Sequence, residues 1–352
     1  PTGSRLRWIV ALVLTLGACG GDDSAQPRAT STSAGPVATT TTTSGTASIP
    51  DLDIQGHRGA RGLKPENTLP AFEAALDLGV STLELDLHFT ADGQVVVWHD
   101  AAIDKEKCRL VPDAPAGVPD PDDVLAPEED LLIAALDRAQ LESYRCDRNP
   151  STAKYPDQSN DPTPLAGDDY RIVTLGELFD FVAQYAEASD KTADQRATAA
   201  SVAFNIETKR KPDRPETIGD GFDGTTAGPF EFAILQAVTA RSLTDRVVIQ
   251  SFDHRSLWAI HAENAAIRLA ALSVRQSVDH ADLAARGASI WSPNLDAVNR
   301  DSVDQAQTAG LEVMPWTVND PSDMTRLIAL GVDGLITDRP DLLLDLLGDP
   351  PG

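Results

Sequence analysis

Val247-Val248-Ile249-Gln250-Ser251 opens with three apolar β-branched residues in a row and no polar alternation. A strand with one wet face alternates, whereas a run like this belongs in a parallel sheet covered on both sides. Outward from it, strand-like runs recur near Asp53 to Gly56, Thr82 to Leu87, Val95 to Trp98 and Ala203 to Glu207 on one side. On the other side they recur near Arg268 to Leu272, Ser289 to Trp291, Glu312 to Trp316 and Gly334 to Thr337. Amphipathic stretches with helical spacing lie between them: Leu69 to Leu78, Leu175 to Ala188, Phe230 to Ala240, Arg255 to Asn264, Arg300 to Ala309 and Pro321 to Ala329. Roughly eight such βα units in about 250 to 300 residues predict an α/β fold, a (β/α)8 TIM barrel, with a doubly wound open sheet as the structural alternative. The turn Thr90-Ala91-Asp92-Gly93 predicts a hairpin that returns the second strand into Val95 to Trp98.

The chain has 352 residues, with 29 Lys+Arg against 54 Asp+Glu, a formal net charge of -25, and 41% hydrophobic residues. That composition buries a large core without staples, which excludes a small disulfide scaffold. Its acidity repels nucleic acid and anionic membrane surfaces, and no basic run offsets it. A phosphorylated small molecule is still allowed if a metal ion or local cations dominate the pocket, because distant charges are screened within roughly 8 Å.

Arg5 and Arg7 precede an apolar run from Trp8 to Leu16, the length of a signal-peptide core and too short for a bilayer span. It ends in Leu16-Gly17-Ala18-Cys19, which resembles the lipobox of bacterial lipoproteins and so implies cleavage before Cys19 and lipid attachment to its thiol. Residues 1–18 are therefore expected to be a lipoprotein signal peptide and residues 19–50, rich in Thr, Ser and Gly, a disordered tether. Residues 51–348 then form the barrel of an exported, cell-envelope lipoprotein, periplasmic or on the outer face of the membrane, which it meets only through the lipid anchor. Loss of residues 1–18 removes Arg5, Arg7 and no acid, taking the charge from -25 to -27.

The βα rhythm fails between about Asp104 and Tyr170, a region rich in Pro, Asp and Ala with one short helical stretch around Glu128 to Leu141. Too long for an ordinary connection, it reads as an insertion over one face of the barrel. It carries Cys108 and Cys146, which in an exported protein are expected to pair. Closing that loop would stabilise by roughly 4 kcal/mol on the loop-entropy model.

Glu84-Leu85-Asp86 lies in a strand, where residues two apart share a face, so both carboxylates project together. Two inward acids are costly unless something cationic sits between them. Asn205-Ile206-Glu207-Thr208-Lys209 brings a third carboxylate on another strand, with Lys209 at the same parity. Three carboxylates without a thiolate suit a hard divalent cation, Ca²⁺ or Mg²⁺; the ordinary alternative is pairing with Arg or Lys at the barrel rim. His57, in Gly56-His57-Arg58-Gly59-Ala60, and His99, in Val97-Trp98-His99-Asp100, each follow a strand directly and are expected at the C-terminal rim, where two imidazoles can act as general acid and base. His88 shares the parity of Glu84 and Asp86 and is either a pocket residue or a solvent-facing rim side chain, while His254, His261 and His280 read as structural.

The ordered set His57-Arg58-Gly59-Ala60, Pro65-Glu66-Asn67-Thr68, Glu84-Leu85-Asp86, Asp92-Gly93 and His99-Asp100 resembles the N-terminal signature of glycerophosphodiester phosphodiesterases. Glu207-Thr208-Lys209, Ser251-Phe252, Trp316-Thr317-Val318-Asn319 and Gly331 to Pro340 continue the likeness, which runs from about Ile54 to Leu343. The resemblance implies a (β/α)8 barrel with metal on Glu84, Asp86 and Glu207, and with His57 and His99 as the acid–base pair. It also puts Arg58 and Lys209 near the phosphate, with Glu66 and Trp316 as further substrate contacts. In the mechanism it implies, a glycerol hydroxyl attacks phosphorus, the alcohol leaves with a proton from one His, and water opens the cyclic phosphate. Asn67 and Thr68 read as turn and helix cap before Leu69. Where many members continue after His-Asp with an Arg-Thr-Thr type segment, this chain has Ala101-Ala102-Ile103-Asp104-Lys105 and then the insertion, a departure that bears on the leaving-group side.

The leading expectation is thus metal-dependent hydrolysis of a small glycerophosphodiester to glycerol 3-phosphate and an alcohol. The alternatives are a phospholipase-type phosphodiesterase acting on intact lipids with the same barrel, and a lipoprotein that only binds phosphorylated polyols. The two rim histidines discriminate against the last, since binding alone does not require them.

Overall fold

All eight residues of Thr82–Phe89 are buried, although Glu84, Asp86 and His88 alternate with leucines. The computed structural model, which describes residues 52–274 and 278–348, explains this inverted pattern. Leu83, Leu85 and Leu87 pack outward into the main hydrophobic core with the helices, and the polar set turns into the barrel. The signal peptide 1–18, Cys19 and the tether 19–50 lie outside the described residues.

In chain order the strands are β1 (Asp53–Gly56), β2 (Thr82–Phe89), β3 (Val95–Val97), β4 (Arg109–Leu110), β5 (Tyr144–Arg145), β6 (Ala203–Thr208), β7 (Val247–Ser251), β8 (Arg268–Ser273), β9 (Ile290–Pro293), β10 (Glu312–Val313) and β11 (Gly334–Thr337). Eight pair in parallel in the order β10-β9-β8-β7-β6-β2-β1-β11. Backbone bonds from Asp333 N to Val313 O and from Ile336 N to Pro315 O, both 3.0 Å, join the last strand to the first. The result is a nearly closed (β/α)8 barrel. Register then places the chemistry, setting Asp86 opposite Glu207 and Glu207 opposite Gln250. Inside the ring, Val248, Ala270, Ile290, Met314 and Ile336 form an apolar layer, while Asn205 Nδ2 donates to Gln55 Oε1 at 2.8 Å below the acids.

The expected hairpin forms, with β3 antiparallel to β2. The regular strand ends at Val313 rather than at the expected Trp316, although Met314 N and Trp316 N still donate to Trp291 O at 2.9 Å and Pro293 O at 3.0 Å. Three helices lie outside the expected stretches: Ala193–Ser201, His280–Ala285 and the leucine-rich Pro340–Leu347. In Ala193–Ser201 only Ala199 is buried, and a capping box between Thr192 and Gln195 holds the start instead. The insertion has its own small core, in which Ile103, Leu131, Ile133, Leu141 and Tyr144 gather around the Cys108–Cys146 disulfide and pack on Val96 and Trp98. Its expected helical stretch is two 3₁₀ turns and the short helix Arg138–Leu141, and β4 and β5 pair across it.

Candidate active site

The turn after β1 builds the floor of the site. His57 N donates to Thr337 O at 2.9 Å, fixing the end of β1 against β11. Arg58 and Gly59 then take left-handed conformations, with φ 55 and 84. That bend aims the Arg58 N–H at Glu84 Oε2, 3.0 Å away, and folds the guanidinium back between Glu66 Oε1 at 2.9 Å and Asp86 Oδ2 at 3.1 Å. Helix Leu69–Leu78 follows, capped by Thr68 as expected.

From β2 and β6 come the acids. An oxygen from each of Glu84, Asp86 and Glu207 lies within 4.8 Å of the others, and all three side chains are buried. Glu84 Oε1 accepts from Gln250 Nε2 at 2.8 Å, and Asp86 Oδ2 accepts from Asn67 Nδ2 at 2.8 Å. Lys209 Nζ lies 2.9 Å from Glu207 Oε1 and 3.4 Å from Asp86 Oδ1. Burial and the neighbouring Asp86 push Glu84 well above the carboxylate range, and burial with Asp86 outweighs Lys209 to raise Glu207 to about 7. Burial would raise Asp86 too, but Arg58 and Lys209 hold it well below that range.

Both expected histidines stand at this rim, each held at Nδ1 by a carboxylate. His57 Nδ1 is 2.5 Å from Asp338 Oδ1, and His99 Nδ1 is 2.8 Å from Asp100 Oδ1. An ionised carboxylate can only accept, so each ring carries its proton at Nδ1 and leaves Nε2 for a substrate. Burial and Arg58 lower His57 below the ordinary imidazole value and bring His99 to about 4. His57, Arg58, Arg61, Glu84, His99, Glu207, Lys209 and Gln250 line one cavity of about 190 Å³, walled on its far side by Phe252, Leu272, Trp316, Thr317 and Ile336. Trp316 is fixed by a 2.9 Å bond from Nε1 to Ser292 O and by Phe252, edge-on at 5.5 Å.

The family model for glycerophosphoryl diester phosphodiesterases matches residues 57–342, from His57 to the last helix. The chain belongs to this family. It is 28% identical over 296 residues to a glycerophosphodiester phosphodiesterase of Caldanaerobacter subterraneus subsp. tengcongensis, covering 84% of this chain and 97% of that one. A solved structure from Silicibacter pomeroyi that carries the family's name superposes with a TM-score of 0.67 at 27% identity, covering 85% of this chain and 93% of the other. An Oleispira antarctica phosphodiesterase, solved in complex with sn-glycerol-3-phosphate, shares the fold at 18% identity and a TM-score of 0.60, covering 84% of this chain and 96% of that one. This phosphodiesterase is accordingly a phosphoric diester hydrolase.

In this glycerophosphodiesterase scaffold the acidic triad fits a hard divalent cation. Three buried carboxylates converge from two strands, and Asp86 Oδ1 makes no hydrogen bond among the described residues. Anions buried this way need a cation to offset their desolvation, and oxygen donors suit Mg²⁺ or Ca²⁺. Of the other expected site residues, Arg58, Lys209 and Trp316 line the cavity, whereas Glu66 lies behind Arg58 and accepts from it. His88 is fully buried and bonded through Nε2 to His99 O at 3.2 Å, which removes the reading of it as a solvent-facing rim residue. Sequence reasoning passed over Asp338, Asp100 and Gln250 as site residues. The first two sat inside quoted motifs without a role, and Gln250 could be found only by knowing its register with Glu207.

Proposed function

We propose that this chain hydrolyses small glycerophosphodiesters to glycerol 3-phosphate and an alcohol, with Glu84, Asp86 and Glu207 holding one divalent cation and His57 and His99 managing protons. The observation that carries this reading is the pair of carboxylate-clamped imidazoles lining the same cavity as Glu84 and Glu207, two of the three converging acids. When bound, the cation would neutralise charge on the non-bridging phosphate oxygens. Arg58 and Lys209 supply further positive charge at that point, and Arg58 keeps its charge against burial because Glu66, Asp86 and Glu84 surround it. One imidazole Nε2 takes the proton from the attacking hydroxyl, and the other, once protonated, delivers one to the departing alcohol. Phe252 and Trp316 give the substrate an apolar wall opposite the charges.

A substrate panel comparing glycerophosphocholine with intact phosphatidylcholine, with Ca²⁺, Mg²⁺ or chelator, tests this. The deacylated compound is expected to turn over and the intact lipid not, chelation to stop turnover, and His57→Ala to lower kcat about 10² to 10⁴-fold. Full turnover in chelator would overturn the metal requirement. The lipidated Cys19 and the cell-envelope location belong to the same proposal, supported by a disulfide that suits an oxidising compartment. Mass spectrometry of the protein from a membrane fraction should find an N-terminal Cys19 carrying lipid; an unmodified cysteine there refutes that part.

A further inference from the structure

Directly before the first cysteine of the disulfide, Lys107 leaves the insertion's small core and enters the active site. Its side chain is only 10% exposed. The ammonium lies 2.7 Å from Glu66 Oε1 and closer still to Asp100 Oδ2. The other oxygen of that carboxylate, Asp100 Oδ1, is the one that holds His99 Nδ1 at 2.8 Å. Among the described residues Asp100 has no other hydrogen-bond partner, and its side chain is one-third exposed, so apart from His99 itself only Lys107 fixes its direction. Glu66, His99 and Asp100 each bring a ligand-type atom within 4.8 Å of the others. Without a cation between them two carboxylates at that separation repel, and the more exposed one turns to water. The backbone of Lys107 is itself braced: its N–H donates to Asp104 O at 3.0 Å, and its carbonyl accepts from Arg148 N at 3.0 Å, across the disulfide-linked segments.

We propose that Lys107 is a positioning residue for His99, pinning Asp100 between itself and the imidazole, so that the disulfide-bearing insertion completes the active site rather than only covering it. This departs from the barrel's own contribution, because the cation comes from the segment that breaks the βα rhythm. The inference rests on His99 being one of the two proton-handling groups.

Steady-state kinetics with glycerophosphocholine at saturating metal test it. Lys107→Met is expected to lower kcat about tenfold, a size seen when a carboxylate orienting a histidine is disturbed, with KM unchanged within twofold. Lys107→Arg should recover most of the loss, since it restores the charge. Asp100→Asn should lose a similar amount, and Lys107→Met added to it should cost nothing more, because both changes break the same connection. A kcat for Lys107→Met within twofold of the parent, or losses that multiply in the double variant, overturns the proposal. Should Lys107→Met melt below the assay temperature, Lys107→Gln carries the same expectation with the polar head retained. His99→Ala measured beside them separates two failures: full activity there refutes the acid–base reading, whereas an inactive His99→Ala next to an unaffected Lys107→Met refutes only the role given to Lys107.

Discussion

Asp338 reaches His57 across 281 positions of sequence, and its second oxygen accepts from Asn319 Nδ2 at 2.8 Å. Opposing the burial that would raise it, His57 and Arg61 hold this carboxyl down at about 2, so it stays ionised and keeps the proton of His57 on Nδ1. Asp338→Asn should therefore cost about a hundredfold in kcat with little change in KM, measured by initial rates, because the ring loses both its orientation and its charge partner. The histidines and Asp338 shift against protonation, whereas burial shifts Glu84 and Glu207 toward it. Burial takes His88 and, with Arg58, His99 down to about 4, so the unfolded chain, with imidazoles near 6.5, binds protons that the folded chain refuses. Their stabilising contribution is whole above that ordinary value and is lost as pH falls from about 6.5 towards 4. Asp338, depressed rather than raised, adds loss of the same sign between about 4 and 2. Because Glu84 and Glu207 work the other way in chelator, the test is a difference: the melting temperature should fall less steeply from pH 7 to 4 in His88→Gln than in the parent, and parallel profiles contradict the assignment. His57, Glu84 and Asp86 were legible in the sequence because strand parity and a position just after a strand are local properties. Asp338 as the clamp of His57 was not, since nothing local links the last strand to the first.

The pairing of β1 with β11 makes that link, and the turn after β1 is built on it. Between β1 and helix Leu69–Leu78 the backbone adopts left-handed φ at Arg58, Gly59 and Asn67. At Gly59 a Cβ would sit 2.5 Å from the carbonyl carbon of Ala71, so the turn packs directly on the helix backbone with no room for a side chain. Gly59→Ala is expected to destabilise by about 2 kcal/mol or more by denaturant titration. It should lower activity further than stability predicts, because the Arg58 N–H that meets Glu84 is part of the same bend. An alanine variant of unchanged stability would show that the turn can shift freely. Elements with a strong apolar pattern matched their expectation closely: β1, β7, β11 and helix Leu69–Leu78 begin and end where the sequence put them. The insertion was legible as an interruption, but not as a source of active-site groups. A cation at its neck has no periodicity, and the acids it serves lie on the barrel.

A chain of net charge -25 that binds an anionic phosphodiester has to reverse its field within a few ångströms. Arg58 and Lys209 do part of this, but both are already engaged by Asp86, so their charge is largely spent on the acids. A divalent cation on Glu84, Asp86 and Glu207 would add two positive charges against these three acids. Its binding should be visible without any substrate. Ligands bound only by the folded state stabilise it by about 2.7 kcal/mol at a hundredfold excess over Kd, which at about 2.1 cal/mol/K of unfolding entropy per residue is roughly 4 to 5 °C in melting temperature for a domain of about 300 residues. Ca²⁺ or Mg²⁺ added to chelator-treated protein should produce a rise of that order by scanning calorimetry, and Glu84→Gln or Glu207→Gln should abolish it. The rise should also depend on pH, because the metal needs ionised ligands and Glu207 sits at about 7 in the metal-free site. Binding at pH 6 must displace a proton that is already absent at pH 8, so the shift should be smaller at pH 6. A shift that survives both substitutions would place the ion elsewhere on this acidic surface and leave the three converging carboxylates with Lys209 and Arg58 as their only cations.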